Sequence, residues 1–182
     1  MTTPQDLEFW EERMNRGARF GQPHRSVLDE PASTWDRFNR ETKNVLDQLL
    51  DFYAPSSVLD AACGVGNLNE YVPDPISYTG VDFSPHMIEQ ARNTYPDKKF
   101  EVMDLRNLTF SSEKFDLVFC RGVEGVIIEA FGQAAWDLIE KELLRVSKTV
   151  LVCISMYYSY RFEVINKLGK RLGGIDRNKE WR

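Results

Sequence analysis

Three cysteines and two histidines in 182 residues leave little with which to build a metal centre or a disulfide frame. Cys63, Cys120 and Cys153 lack CxxC spacing, and each lies in or beside an apolar run. They read as reduced, buried thiols, and with only His24 and His86 beside them no metal is expected. No apolar run approaches the ~20 residues that a membrane-spanning helix needs. The first sixteen residues are polar and acidic with no apolar h-region, so they do not read as a secretory signal, and a cytoplasmic location is the default expectation. Excess positive charge is missing as well. A net charge of −5 argues against nucleic acid as the main partner. Only Arg161 to Arg182 is locally basic, with seven Lys/Arg against three Asp/Glu, and it reads as a solvated helix face.

What is present is organised around Val58 to Leu68, VLDAACGVGNL. A short apolar run reaches Asp60 and turns through Cys63-Gly64-Val65-Gly66, as a buried strand turning into a helix would. Glycine suits that turn because it accepts positive φ and lets a ligand approach the backbone. A following helix N-terminus would offer free N–H groups to a polar or anionic ligand. The dinucleotide fingerprint G-x-G-x-x-G fits only at Gly64 and Gly66, because Asn69 stands at the third glycine. An ordinary strand–helix turn is the alternative, and the downstream pattern has to decide.

The length predicts one domain. Residues 1 to about 32 hold a short helical start at Leu7, Trp10 and Met14, then a segment broken by Gly17, Gly21 and Pro23. They read either as a disordered leader or as a docking lid, and Trp10 and Phe20 favour the lid. Ser33 or Thr34 is expected to cap a helix to about Tyr53, with Trp35, Phe38, Val45, Leu46, Leu49 and Phe52 inward. Strands are expected at about 57–61, 77–81, 99–103, 115–120 and 149–155. Between them come a short helix over 66–72, a helix to about Thr94 capped by Ser84-Pro85, and one over 130–146 with Phe131, Ala135, Leu138, Ile139, Leu143 and Val146 inward. A last helix is expected over 160–172, stopped by Gly173-Gly174. This alternation predicts a mostly parallel sheet of about five strands in an α/β fold.

In such sheets a ligand sits beyond the carboxyl ends of the strands. Strands one, two and three end in the Asp60 turn, in Asp82 and in Asp104, which places three carboxylates on one edge. Asp82, about twenty residues after the turn, has the spacing to accept hydrogen bonds from both hydroxyls of a ribose. It could equally favour the helix start at Ser84. Asp104 suits an amino group such as adenine N6, or a simple turn.

Taken together, VLDAACGVGNL, YTGVDFSPHMIEQAR, FEVMDL and FDLVFCRGV stand in the order and spacing of the class I S-adenosylmethionine-dependent methyltransferases. Over about Trp35 to Ser155 the chain resembles the small-molecule members of that family. The resemblance implies a Rossmann-like three-layer sandwich, with residues 1–53 as a lid and helix packed on an S-adenosylmethionine-binding core of residues 54–182. It implies that Gly64 and Gly66 approach the methionyl part and that Asp82 holds the ribose. Asp104 and Leu105 would hold the adenine, and Arg121 and Gly122 would line the cofactor from below. Asp60 would orient the turn and, through water, the ammonium group. Ala61, Cys63, Phe83 and Met87 complete the expected cofactor-binding set. The chemistry implied is an in-line displacement at the sulfonium methyl, in which the protein supplies position and desolvation.

Two departures accompany the resemblance. Histidines often follow strand four in this family, whereas Glu124-Gly125-Val126 stands here, so the candidates for a general base are Glu124, Glu129 and His24. The predicted last helix also leaves no residues for the family's C-terminal antiparallel hairpin. Strand five would then be a bare edge, to be covered by the terminal segment or by a second copy in a homodimer. A non-catalytic S-adenosylmethionine- or S-adenosylhomocysteine-binding scaffold, or a truncated methyltransferase, is the second reading. A NAD-dependent oxidoreductase is the third, weakened by Asn69 and by the lack of a Tyr-x-x-x-Lys pair.

Overall fold

The computed structural model describes residues 8, 32–155, 161–166 and 171–175. The candidate lid, including Trp10, Phe20 and His24, lies outside them. Helix α1 (Ala32–Tyr53) leads into strand β1 (Ser57–Ala61), a 3-10 turn (Asn67–Tyr71) and β2 (Ser77–Asp82). Helix α2 (Pro85–Thr94), β3 (Lys99–Val102), β4 (Phe115–Arg121), α3 (Glu124–Phe131) and α4 (Gln133–Val146) follow. Strands β5 (Ser147–Ser155), β6 (Arg161–Asn166) and β7 (Arg171–Ile175) close the chain. The seven strands form one sheet in the order β3-β2-β1-β4-β5-β6-β7. The first five pair in parallel, as their alternation with helices and loops predicts.

The core is two layers of side chains on the two faces of this sheet. On one face Val58, Tyr78, Phe100, Leu117 and Phe119 meet Phe38, Val45, Leu46 and Leu49 of α1, Leu68, and Ile88 and Ala91 of α2. On the other, Leu59, Ala61, Val81, Val118 and Cys120 meet Trp136, Ile139, Leu143 and Val146 of α4. The spacing of those α1 and α4 residues follows the helical repeat, which is why each helix buries one stripe. The result is the expected three-layer, Rossmann-like sandwich.

Several expectations are corrected. The segment expected as the last helix forms strands β6 and β7, so the antiparallel hairpin is present. Arg161-Phe162-Glu163-Val164 alternates with a period of two, and pairing with β5 satisfies backbone groups that a bare edge would leave open. Gly173 and Gly174 pair within β7 instead of ending a helix. Strand β5 is therefore interior, and the premise for a homodimer through its edge falls. The helix expected over 130–146 is two helices, broken at Gly132, whose φ of +83° no helix accommodates. The expected helix after the glycine turn is a five-residue 3-10 turn, too short to present an anion-binding N-terminus. Helix α1 begins at Ala32, ahead of Ser33 and Thr34. Phe52 at 80%, Leu138 at 57% and Phe131 at 36% exposure face outward instead of inward.

Candidate functional site

Strand order reverses between β1 and β4, so the crevice beyond their carboxyl ends is where a ligand of this fold sits. Asp60, the glycine turn, Asp82, Arg121 and Gly122 all come to that place. The turn is made by left-handed backbone at Ala62 (φ +62°), Gly64 (φ +55°) and Gly66 (φ +82°). Its two glycines differ in purpose. A Cβ on Gly64 would meet nothing within 4 Å, so the turn has an open side there. A Cβ on Gly66 would lie 2.6 Å from the Phe100 ring, and one on Gly80 would lie equally close to it. Gly66 must be glycine because β3 places Phe100 against it, whereas Gly64 leaves the turn open.

Asp82 ties the turn to β2. Its Oδ2 accepts from the Gly64 N–H at 2.9 Å and its Oδ1 from the Ser84 N–H at 2.9 Å. Burial raises its pKa, opposed by hydrogen bonds from the Ser84, Gly64 and Phe83 backbones. Ser84 also caps α2, accepting from the Met87 N–H at 3.3 Å with Pro85 following, as its sequence predicts. Three backbone donors on its two oxygens leave Asp82 one of about four lone pairs for an incoming hydroxyl.

Asp60 is 1% exposed. Its Oδ2 accepts from the Tyr78 hydroxyl at 2.7 Å, while its Oδ1 is buried with no hydrogen-bond partner among the described residues. Burial pushes its pKa up to about 6, against the pull of Arg121 and the Tyr78 hydrogen bond and with a push from Asp82. Arg121 is half-buried at the end of β4, donates to Asn39 Oδ1 of α1 at 3.1 Å, and lies 5.6 Å from the centre of the Phe38 ring.

The other expected residues divide. Asp104 is held by Arg106, which donates Nε to Oδ1 at 3.0 Å and Nη2 to Oδ2 at 2.8 Å, with its backbone N–H also on Oδ1. The side chains of Ala61 and Leu105 are buried in the α4 layer and that of Cys63 in the α1 layer, so they offer a ligand chiefly their backbone. Burial also drives the Cys63 thiol well above its ordinary pKa. Met87 is buried, Phe83 is half-buried, and Gly122 has φ +76° beside Arg121. Glu124 opens α3 and is half-buried, whereas Glu129 is exposed. The sequence reading missed Tyr78, Phe100, Asn39 and Arg106. Only the diagonal placement of Tyr78 beside Asp60, once the β1–β2 register is known, could have signalled any of them.

The described residues hold no cluster of His, Cys, Asp or Glu suited to a metal ion, and no helix among them is long and apolar enough to cross a membrane. They do fit a ligand with hydroxyls and a cationic end: an open turn at Gly64, the half-buried carboxylate of Asp82, and the buried carboxylate of Asp60 with one oxygen lacking a donor.

A family model described as a methyltransferase domain matches residues 58–149. The malonyl-[acyl-carrier protein] O-methyltransferase of Pseudescherichia vulneris is 30% identical over 84 residues, 46% of this chain and 34% of that protein. The trans-aconitate 2-methyltransferase of Escherichia coli is 41% identical over 66 residues, 34% of this chain and 25% of that protein. The chain thus matches a quarter to a third of the length of these curated relatives. Among solved structures, the PH0226 protein of Pyrococcus horikoshii superposes with a TM-score of 0.52 at 26% identity, covering 74% of this chain and 73% of that one.

Proposed function

Because the chain belongs to the methyltransferase-domain family, we propose that it binds S-adenosylmethionine and transfers the methyl group to a small-molecule acceptor by in-line displacement. One observation carries the reading: the turn is open at Gly64, locked to Asp82, and set above a buried Asp60 oxygen that has no donor. When bound, the cofactor supplies the activated sulfonium methyl. The chain's residues bind and orient it. Asp82 holds the ribose through its remaining acceptor capacity, and Asp60 accepts from the ammonium end, directly or through water. Asp104, held in place by Arg106, and Leu105 take the adenine end. Arg121 and Gly122 line the floor, while the Phe83 and Met87 backbones hold the Asp82 corner.

Residues 1–53 would act as the lid, of which α1 is the packed part. A base is needed only for a hydroxyl or protonated-amine acceptor. Glu124 at the crevice is the better of the two described candidates, Glu129 being exposed. The trans-aconitate relative favours a small acceptor, and the free thiols of Cys63 and Cys120 fit a cytoplasmic setting. The solvent-facing Glu129 favours a non-catalytic binding scaffold as the second reading, while the hairpin weighs against it. Methyl transfer to any acceptor separates the two.

The test is calorimetric titration with S-adenosylmethionine and S-adenosylhomocysteine, with Asp82→Ala alongside. Saturable binding weakened by ~2 kcal/mol or more in the variant is expected, since hydrogen bonds to a charged group are lost. Folded wild-type protein that binds neither ligand would overturn the reading.

A further inference from the structure

We propose that Tyr78 is a positioning residue for cofactor binding: its hydroxyl occupies Oδ2 of Asp60, favours the ionised carboxylate, and leaves Oδ1 as the oxygen that receives the ligand's donor or the water that carries it. This rests on the S-adenosylmethionine reading above. In the β1–β2 register Asp60 faces Gly80 and Val58 faces Tyr78, so Tyr78 lies diagonally behind Asp60 on the same face. The ring is 4% exposed and edge-on to Phe100, with centroids 5.7 Å apart. Phe100 in turn fills the space left by Gly80 and Gly66. Three strands therefore fix the ring, and its buried hydroxyl has a partner at 2.7 Å in place of water.

An ionised Asp60 with one occupied and one empty oxygen is a one-sided acceptor. If Tyr78 were released, the carboxylate could turn and share both oxygens between competing donors. The charged and titratable groups around it are Tyr78 and Asp82 on β2, Arg121 and Cys120 on β4, and Cys63 in the turn. Helix α1 contributes Asn39, which holds Arg121. Asp60 titrates near pH 6, within reach of experiment. A hydrogen bond to the ionised form lowers an acid's pKa, so removing it raises that pKa. A cationic ligand end favours ionised Asp60, so affinity falls as pH falls through this titration.

The experiment uses the full chain and its Tyr78→Phe and Asp60→Asn variants. Calorimetry with S-adenosylmethionine from about pH 5 to 8 is paired with carbon-13 NMR titration of the Asp60 carboxyl in the free protein. In Tyr78→Phe the Asp60 titration and the pH of half-lost affinity both move upward together, by about one pH unit. Affinity at pH 8 stays within about threefold of wild type, and Asp60→Asn loses the pH dependence. An unmoved midpoint, or an equal loss of affinity at every pH, makes Tyr78 merely structural and overturns the proposal while the cofactor reading stands. Absence of binding at every pH, with Asp60 titrating normally, overturns the cofactor reading itself and this proposal with it.

Discussion

At the amino ends of β1, β4 and β5, Asp116 Oδ2 accepts from Ser56 and Ser57, through both backbone N–H groups and both hydroxyls, while Oδ1 accepts from Lys148 Nζ at 2.8 Å. Its own N–H donates back to Ser57 Oγ at 3.0 Å. At the carboxyl ends of the same sheet, Asp60 has one hydrogen bond and an oxygen with none. Burial raises Asp60 to about 6. Burial also acts on Asp116, but the bonds from Lys148, Ser56 and Ser57 outweigh it and hold that carboxyl well below the ordinary range. The amino edge is a finished clasp across three strand starts. The carboxyl edge leaves an acceptor unfilled at a cost of about 1–3 kcal/mol, which a ligand's donor would offset. The difference marks which edge works and which edge holds.

The largest expected effect breaks the simplest form of that contrast, because one residue of the working edge is structural. Gly66→Ala puts a methyl 2.6 Å from the Phe100 ring at a φ of +82°. Overpacking and left-handed strain together should cost about 3 kcal/mol. Gly64→Ala meets nothing within 4 Å and should cost about 1 kcal/mol of stability from its backbone alone, while the methyl narrows the open side of the turn. Chemical denaturation reads the first, and ligand titration the second. Equal stability losses would mean that the two glycines do not divide the work.

Asp116→Ala comes next and should cost about 2 kcal/mol, since its carboxylate gathers five hydrogen bonds. The pH dependence follows from the lowered pKa. The stabilisation is complete above the ordinary carboxylate value of ~3.9 and is lost as pH falls through and below it. The variant should therefore differ from wild type at neutral pH and converge with it in acid. Affinity for S-adenosylmethionine should stay unchanged, and a loss of affinity would join the two edges into one unit.

How much of this was legible in the sequence depended on the distance over which each feature is decided. Strands four and five read as wholly apolar runs and the other three from their place between helices and turns, and the Ser84-Pro85 cap read correctly because its partner, Met87, is three residues away. Asp60, Asp82 and Asp104 were placed at one edge because strand ends alone fix that, whereas Arg121 came from the family resemblance. The hairpin was misread because Arg161–Asn166 takes its conformation from pairing with β5, which outweighs local helical spacing. The packing reason for Gly66 was not legible because its neighbour, Phe100, is thirty-four positions downstream and reaches it only through the β2–β3 register. Asp104 looked free until the side chain of Arg106 closed on it.

The smallest effect asks what kind of clasp the amino edge is. Lys148 is about half exposed, so its ion pair with Asp116 is screened by water and salt. Lys148→Met should cost less than ~1 kcal/mol at low ionic strength and almost nothing at ~1 M salt. The four serine bonds remain, and they should keep the Asp116 carboxyl below its ordinary pKa. Denaturation at the two salt concentrations reads the first point, and the carboxyl carbon-13 shift reads the second. If the loss were large at low ionic strength and vanished at ~1 M salt, the clasp would depend on charge instead of on backbone donors. The two edges would then differ in how their charge is balanced, and the completeness of hydrogen bonding would no longer separate them.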